Sequence, residues 1–317
     1  MRYTAPKQIP VGSKVAVVAP ASPFKSDELA ASLNIIRRMG FVPVLGSNVI
    51  NLKSDSIHAA SVKDRVEELM WAFSDPNLTA VITTCGGCGS AALLPYLDYN
   101  VILRSKKPLL GMSDISALNN GILAKCGLIS INGQNPNVRL DEGREIYNTD
   151  CNSLKLAFDL MSQKKTWGSA PFQNNPYLPR AIKSGKASGF AIGCNNDTFV
   201  HLLGTPFMPD CAGAILFIED VGKSGEVLAR QLLHLEIAGV LEAVSGIVIG
   251  EFSKVPKMDK PAEPYIEDVL EEYLWRDKPT VFGYNFSHGP YTAPIPIGAL
   301  CHVDVETRQV FFDFQMS

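Results

Sequence analysis

Nothing in this chain of 317 residues is long and apolar enough to cross a bilayer: no run approaches the roughly 20 residues of a membrane helix. Residues 1–6 (MRYTAP) lack the apolar stretch of a secretory signal. These absences set the expectation of a cytoplasmic protein with no membrane partner. An excess of charge of one sign is missing too. The 29 Lys and Arg nearly balance the 32 Asp and Glu, for a net charge of −3, so no basic face is expected for nucleic acid. A disulfide framework is not indicated, because seven cysteines are an odd number scattered through a large chain. Internal repeats and low-complexity tracts are absent.

What is present describes a globular protein with an ample core: 46% hydrophobic and 19% charged residues. The first half alternates strand and helix patterns. Residues 14–20 (KVAVVAP) read as a buried parallel strand. Ser26 or Asp27 then caps a helix with Leu29, Leu33 and Ile36 on one face, ended by Gly40. A short strand over 42–45 follows, then a helix begun by Ser61 with Val62, Val66, Leu69, Met70 and Phe73 along one side. Further strands are expected over 80–84, 108–111 and 128–132. This alternation predicts an α/β fold, with a flavodoxin-like parallel-sheet N-terminal domain over 1–162. Residues 163–188, polar and carrying Pro171, Pro176 and Pro179, read as a linker. A smaller C-terminal α/β domain over 189–317 is expected to hold strands at 214–218, 246–249 and 279–284. Between the first two lies a helix with Leu228, Leu232 and Leu235, and a hairpin around residues 306–308 closes the chain.

Open α/β sheets bind ligands outside the carboxyl ends of their strands, and the chemistry-bearing residues of this chain cluster there. Gly111-Met112-Ser113-Asp114 follows the fourth strand and precedes a helix. A serine on such a turn presents its hydroxyl beside backbone N–H groups. The second glycine of the usual G-x-S-x-G elbow is missing, since Ile115 takes its place, and the same residues also suit an ordinary helix cap. A glycine-rich turn, Cys85-Gly86-Gly87-Cys88-Gly89, follows the third strand. Glu219-Asp220 follows the run ending at Ile218, and Ser287-His288-Gly289 comes shortly after the 279–284 strand. Ser113, an acid at 219 or 220, and His288 form a candidate triad in the chain order Ser–acid–His. Neighbouring strand residues point to opposite faces, so one of the two acids is expected to reach His288. Backbone N–H groups of Gly86 or Gly87 and of Asp114 are candidates to hold an oxyanion. The other histidines stand apart: His58 in a polar loop, His201 and His234 in helices, His302 in a strand. Cys85 and Cys88 are read as part of a glycine turn, since no second pair or nearby histidine completes a metal set.

Six ordered segments carry a resemblance that covers nearly the whole chain. They are KVAVVAPAS, CGGCGSAALLPYLD, GMSDISAL, AIGCNNDTFVHLLGTPFMPD, GAILFIEDVGKSGEVLARQLLHLEIAGVL and FSHGPYTAPIPIGALCHVD. In these the chain resembles the LD-carboxypeptidases, serine peptidases that include the microcin C immunity hydrolases. The resemblance implies Ser113 as nucleophile, Glu219 rather than Asp220 as acid, and His288 as base. It also implies a site between the two domains, no metal or organic cofactor, and a homodimer. The family's Arg and Tyr around the glycine pair are Cys85 and Cys88 here, and its Gly-Gly-Asn-Leu segment reads Gly193-Cys194-Asn195-Asn196. Cys85, Cys88 and Asn195 are therefore candidates to line the substrate cleft. At 85 a guanidinium's charge and fork of donors are absent.

The activity implied is hydrolysis of an L-to-D amide bond in a small peptide, with release of terminal D-Ala from murein tetrapeptides during cell-wall recycling. The second reading keeps the chemistry and takes a peptidyl-nucleotide substrate, with Trp167, Trp275 or Tyr291 as platform for the base. The alternative from another class is a non-catalytic ligand-binding protein on the same scaffold, favoured by the replacements at 85 and 88.

Overall fold

The computed structural model describes residues 3–52, 56–138, 144–162, 179–253, 266–274, 278–288 and 292–317. In chain order the first half holds β1 (Lys14–Val18), α1 (Ser26–Arg38), β2 (Val42–Leu45), the single turn α2 (Ser47–Ile50), α3 (Val62–Ser74), β3 (Leu78–Thr83), α4 (Tyr99–Ser105), β4 (Leu109–Leu110), α5 (Ser116–Cys126) and β5 (Ser130–Asn132). These strands pair in parallel in the order β2-β1-β3-β4-β5. That is the flavodoxin-like order, in which a switch of winding direction opens a crevice at the strand ends. Val15 to Val18 of β1 have no exposed surface, as a strand covered on both faces requires.

After α6 (Arg144–Ser162) come β6 (Arg180–Lys183), β7 (Lys186–Asn195), α7 (Asn196–Val200), β8 (Ile215–Val221), α8 (Gly225–Ile237), α9 (Val240–Ala243), β9 (Gly246–Ser253), α10 (Ile266–Leu274) and β10 (Thr280–Phe282). Strands β7, β8, β9 and β10 run parallel, and β6 closes one edge antiparallel to β10. The chain then returns to the first sheet as β11 (Ile295–Ile297), antiparallel to β5. It ends in the hairpin of β12 (Leu300–Asp304) and β13 (Gln309–Asp313), which adds to β7. The chain is thus an α/β protein with two sheets, and one apolar cluster runs from Val15 and Ile82 in the first to Phe217 and Phe312 in the second.

Several local expectations need correction. Residues 163–178 of the expected linker lie outside the described residues, and its end is strand, because β6 and the start of β7 fall at 180–188. Neither Ser26 nor Asp27 caps α1. Lys25 takes the cap position without a side-chain bond, while the Asp27 carboxylate accepts from the adjacent Glu28 N–H. Ser61 does cap α3, its hydroxyl accepting from the Asp64 N–H, a contact worth about 1 kcal/mol. Glu219 and Asp220 are not beyond the strand but inside it, since β8 runs on to Val221.

Helix α5 joins the two sheets. Its residues from Ser116 to Leu123 are all buried, because β5 packs on one side and β7 and α7 on the other. Along β7 the ladder with β12 ends at Phe190. Beyond it, the Asn120 side chain stands in for a strand: its Nδ2 donates to the Gly193 carbonyl at 3.0 Å, and its Oδ1 accepts from the Gly193 N–H at 3.0 Å. Gly193 has φ +97, and a Cβ there would come within 2.3 Å of the Phe217 carbonyl oxygen. Only glycine meets both conditions. Asn120→Ala strands two buried backbone groups at once, and we expect a loss of about 2–4 kcal/mol in stability, measured by urea unfolding. A loss below about 0.5 kcal/mol would contradict this role.

Candidate active site

The turn after β4 holds Ser113 in the left-handed region, at φ +66. For a residue with a Cβ this costs on the order of 1–3 kcal/mol and persists only where the surroundings over-determine it. Here they do. The Gly111 carbonyl accepts from Asn119 Nδ2 at 3.1 Å and from the Gly133 N–H at 3.3 Å. The Met112 N–H donates to Asn135 Oδ1 at 3.3 Å, and Thr83 Oγ1 donates to the same oxygen at 3.0 Å. The Asp114 carboxylate accepts from the Ser90 N–H at 2.8 Å, while Ser90 Oγ donates to the Asp114 carbonyl at 2.7 Å. Gly111 has no room for a side chain, since a Cβ would lie 2.3 Å from Thr83 Oγ1.

The glycine turn after β3 lies directly against this serine. A Cβ on Gly86 would stand 2.6 Å from Ser113 Cβ and 2.9 Å from its Oγ. Ser22, after β1, shapes the turn with three bonds. Its N–H donates to the Gly86 carbonyl at 3.2 Å, its Oγ accepts from the Cys88 N–H at 3.0 Å, and its carbonyl accepts from Cys85 Sγ at 3.2 Å. Arg65, buried under the loop, donates from Nη1 to the carbonyls of Pro20 and Gly89 at 2.8 and 3.0 Å. With the Gly86 carbonyl turned to Ser22, the N–H groups of Gly86 and Gly87 have no protein acceptor among the described residues.

The third part comes from the second sheet. Glu219 on β8 is 1% exposed, and its Oε2 lies 2.7 Å from His288 Nδ1. A carboxylate at Nδ1 holds the proton there and makes Nε2 the basic atom. Ser287 steadies the segment: its Oγ accepts from the Glu251 N–H at 2.7 Å, and its carbonyl accepts from Thr292 Oγ1 at 2.9 Å. Asn195 Nδ2 donates to both Glu219 Oε1 and Asp220 Oδ1, each at 3.2 Å. Asp220 does not reach His288. Its carboxylate instead accepts from the N–H groups of Val221 and Asp197. Burial and then the neighbouring Glu219 push its acid up to about 6, against those bonds and the Lys223 charge.

Ser113 and His288 line one cavity of about 410 Å³, together with Cys85, Gly86 and Gly87. Asp114 carries its side chain away from the cavity, toward Ser90. Two expected cleft residues are elsewhere. Asn195 is 5% exposed and stands behind Glu219, and Cys88 sits on the outer side of the loop, its Sγ 3.8 Å from His58 Nε2. A histidine does therefore approach this thiol, although no group of three or more metal-ligating side chains exists among the described residues. The candidate base platforms Trp167, Trp275 and Tyr291 lie outside the described residues. Sequence reasoning missed Gln134, Asn135 and Asn137, which line the cavity after β5. Their signal was available as a polar run at a strand end, the criterion applied to the other loops.

Comparison with known proteins shows the family of the chain. Residues 15–133 match the LD-carboxypeptidase N-terminal domain and residues 188–303 the LD-carboxypeptidase C-terminal domain. The chain belongs to the LD-carboxypeptidase family. It is 29% identical to a probable murein peptide carboxypeptidase of Bacillus subtilis, over 93% of this chain and 89% of that protein. It is 30% identical to a murein tetrapeptide carboxypeptidase of Pseudomonas aeruginosa, over 83% and 84% of the two chains. Among solved structures it superposes on the protein MccF in complex with glutamyl sulfamoyl guanosine, with a TM-score of 0.85 and 25% identity over 99% of both chains. No helix among the described residues of this family member is long and apolar enough to cross a membrane.

Two outcomes test this arrangement. Gly86→Ala drives a methyl group into Ser113, and a folded variant is expected to lose about a hundredfold in its rate of fluorophosphonate labelling. Labelling at the wild-type rate would remove the loop from the site. For Asp220 the sign is set by an acid raised from 3.8 to about 6 in the fold. Its contribution to stability is complete below about pH 4 and is lost as pH rises through about 6. Asp220→Asn should therefore gain about 1–3 kcal/mol relative to wild type between about pH 4.5 and pH 8, read from urea melts. A difference that does not change with pH would contradict it.

Proposed function

We propose that the protein is a serine carboxypeptidase that cuts an L-to-D amide bond and releases terminal D-Ala from murein tetrapeptides. The observation that carries this reading is the Glu219–His288 hydrogen bond beside a cavity that His288 shares with the strained Ser113. The murein substrate is supported by the names of the relatives from Bacillus subtilis and Pseudomonas aeruginosa.

The steps follow from the parts. His288 Nε2 takes the Ser113 proton as Oγ attacks the scissile carbonyl. Glu219 keeps the imidazole in one tautomer and stabilises the imidazolium. N–H groups of Gly86, Gly87 and Asp114 face the charge that develops on the carbonyl oxygen. Collapse of the tetrahedral species passes the proton from His288 to the leaving nitrogen, and D-Ala departs. Water then attacks the acyl-enzyme with His288 again as base.

A second reading, hydrolysis of a peptidyl-nucleotide, is favoured by the close superposition on MccF bound to an aminoacyl nucleoside analogue. One assay separates the two: wild-type and Ser113→Ala protein are incubated with a murein tetrapeptide, and free D-Ala is followed by mass spectrometry. Release by wild type and a loss of at least about a thousandfold in Ser113→Ala is the expected result. Release by both removes Ser113 as nucleophile, and release by neither favours the peptidyl-nucleotide. Turnover should also fall on acidification, because a protonated His288 takes no proton. A flat profile down to about pH 5 would remove histidine as base.

A further inference from the structure

The glycine loop carries a second chemical pair that hydrolysis does not use. Of the seven cysteines, Cys88 is the exposed one. Cys85, Cys126 and Cys211 are half-buried, and burial pushes each thiol up, Cys85 and Cys211 to about 11. Cys151, Cys194 and Cys301 are buried. Cys88 Sγ stands 3.8 Å from His58 Nε2. The His58 ring is pressed on the loop: a Cβ at Gly89 would lie 2.4 Å from its Cδ2 and 2.5 Å from its Nε2. The Arg65 guanidinium, bonded to the Gly89 carbonyl, interacts electrostatically with Cys88. Cys88 is thus the thiol open to a reagent, with an imidazole nitrogen within reach of its sulfur.

The loop also couples this pair to Ser113. The Cys88 N–H is tied to Ser22 Oγ, and Gly86, two residues earlier, touches Ser113. Gly87 and Gly89 flank Cys88 at φ +100 each, so the segment turns on two glycines.

We propose that Cys88 and His58 form a thiol-modification site on the rim of the pocket, which takes up small disulfides and, once loaded, distorts the loop that faces Ser113. His58 Nε2 accepts the Cys88 proton, and the thiolate attacks one sulfur of a low-molecular-mass disulfide. A new bond forms to Sγ, the original sulfur–sulfur bond breaks, and the departing thiolate takes the proton held by His58. The bulk added at Sγ separates the His58 ring from Gly89 and pulls the Cys88 N–H from Ser22. A dithiol reverses the exchange by the same chemistry.

The effect on Ser113 rests on the proposed serine mechanism; the thiol chemistry does not. The test treats the folded full chain with dithiobisnitrobenzoate at neutral pH, following thiolate release and mapping the adduct by peptide mass. One fast-reacting thiol per chain is expected at Cys88, absent in Cys88→Ser and slowed about tenfold in His58→Gln. A fast thiol elsewhere, or an undiminished rate in His58→Gln, overturns the pair. In the second arm, loading Cys88 should slow fluorophosphonate labelling of Ser113, dithiothreitol should restore it, and Cys88→Ser should be insensitive to the disulfide. Unchanged labelling of the loaded protein overturns the coupling to the loop. Failure of the probe on the reduced protein as well tells against the nucleophile assignment, and the release kinetics still decide the thiol pair.

Discussion

The double hydrogen bond between the Asn120 amide and the Gly193 peptide sets the distance between the two halves of the site. The β12 ladder along β7 ends at Phe190, and Ala191 still bonds to Ala299 and Gly298, so Gly193 is the next residue on this edge and has no strand beside it. A buried, unpaired peptide is expensive, and the Asn120 side chain supplies both a donor and an acceptor in one planar group. Helix α5, which carries Asn120, begins directly after the Ser113 turn. Strand β7 in turn pairs Asn195 with Glu219 of β8 in parallel register. Ser113 is therefore referenced to Glu219 through one helix, one amide and one strand pair, all of them rigid. Asn195 adds a second tie, its N–H meeting Ser116 Oγ at 3.3 Å.

Both ends of that connection are strained. Ser113 at φ +66 and Cys194 at φ +98 are non-glycine residues in left-handed backbone. Each position is fixed by bonds on either side: Gly111, Met112 and Asp114 around the serine, Gly193 and Asn195 around the cysteine. Strain at two points of one connection means that loosening any of these bonds relaxes the site rather than only the local turn. The buried polar side chains of this region, Thr83, Asn119, Asn120 and Asn135, are thus explained by geometry at Ser113. None of them has a role in a simple apolar core.

Much of this was legible in the residues. The strand over 42–45, the Ser61 cap and the strand-end positions of Cys85–Gly89 and Ser113 follow from period, capping chemistry and chain order. Helix α5 was placed, but its burial on all sides was not, because the second sheet covers a face that periodicity assigns to solvent. The linker expected up to residue 188 ended instead in β6, an edge strand whose exposed residues look like loop, and in the alternating start of β7. The return of β11 to the first sheet had no local signal, as pairing across some 160 residues leaves none. Cys88 and His58 are thirty residues apart, and only the fold brings them together.

Strict alternation along a strand explains why one of the two adjacent acids meets His288, but not why Asn195 meets both. The register between β8 and β9 shifts between Ile218 and Asp220. A bulge of this kind breaks strict alternation and re-aims side chains. It brings the Glu219 and Asp220 carboxylates to one nitrogen, both 1% exposed. Two charges so close and so dry repel strongly, and the fold answers by treating them differently. Glu219 faces the His288 imidazole, its Oε2 2.7 Å from Nδ1. Asp220 receives neutral N–H donors and is pushed up to about 6. A proton taken up at Asp220 relieves the repulsion across Asn195 without touching Glu219 Oε2, the oxygen that faces His288. The second acid thus absorbs the strain of burial at a place where its charge is not needed.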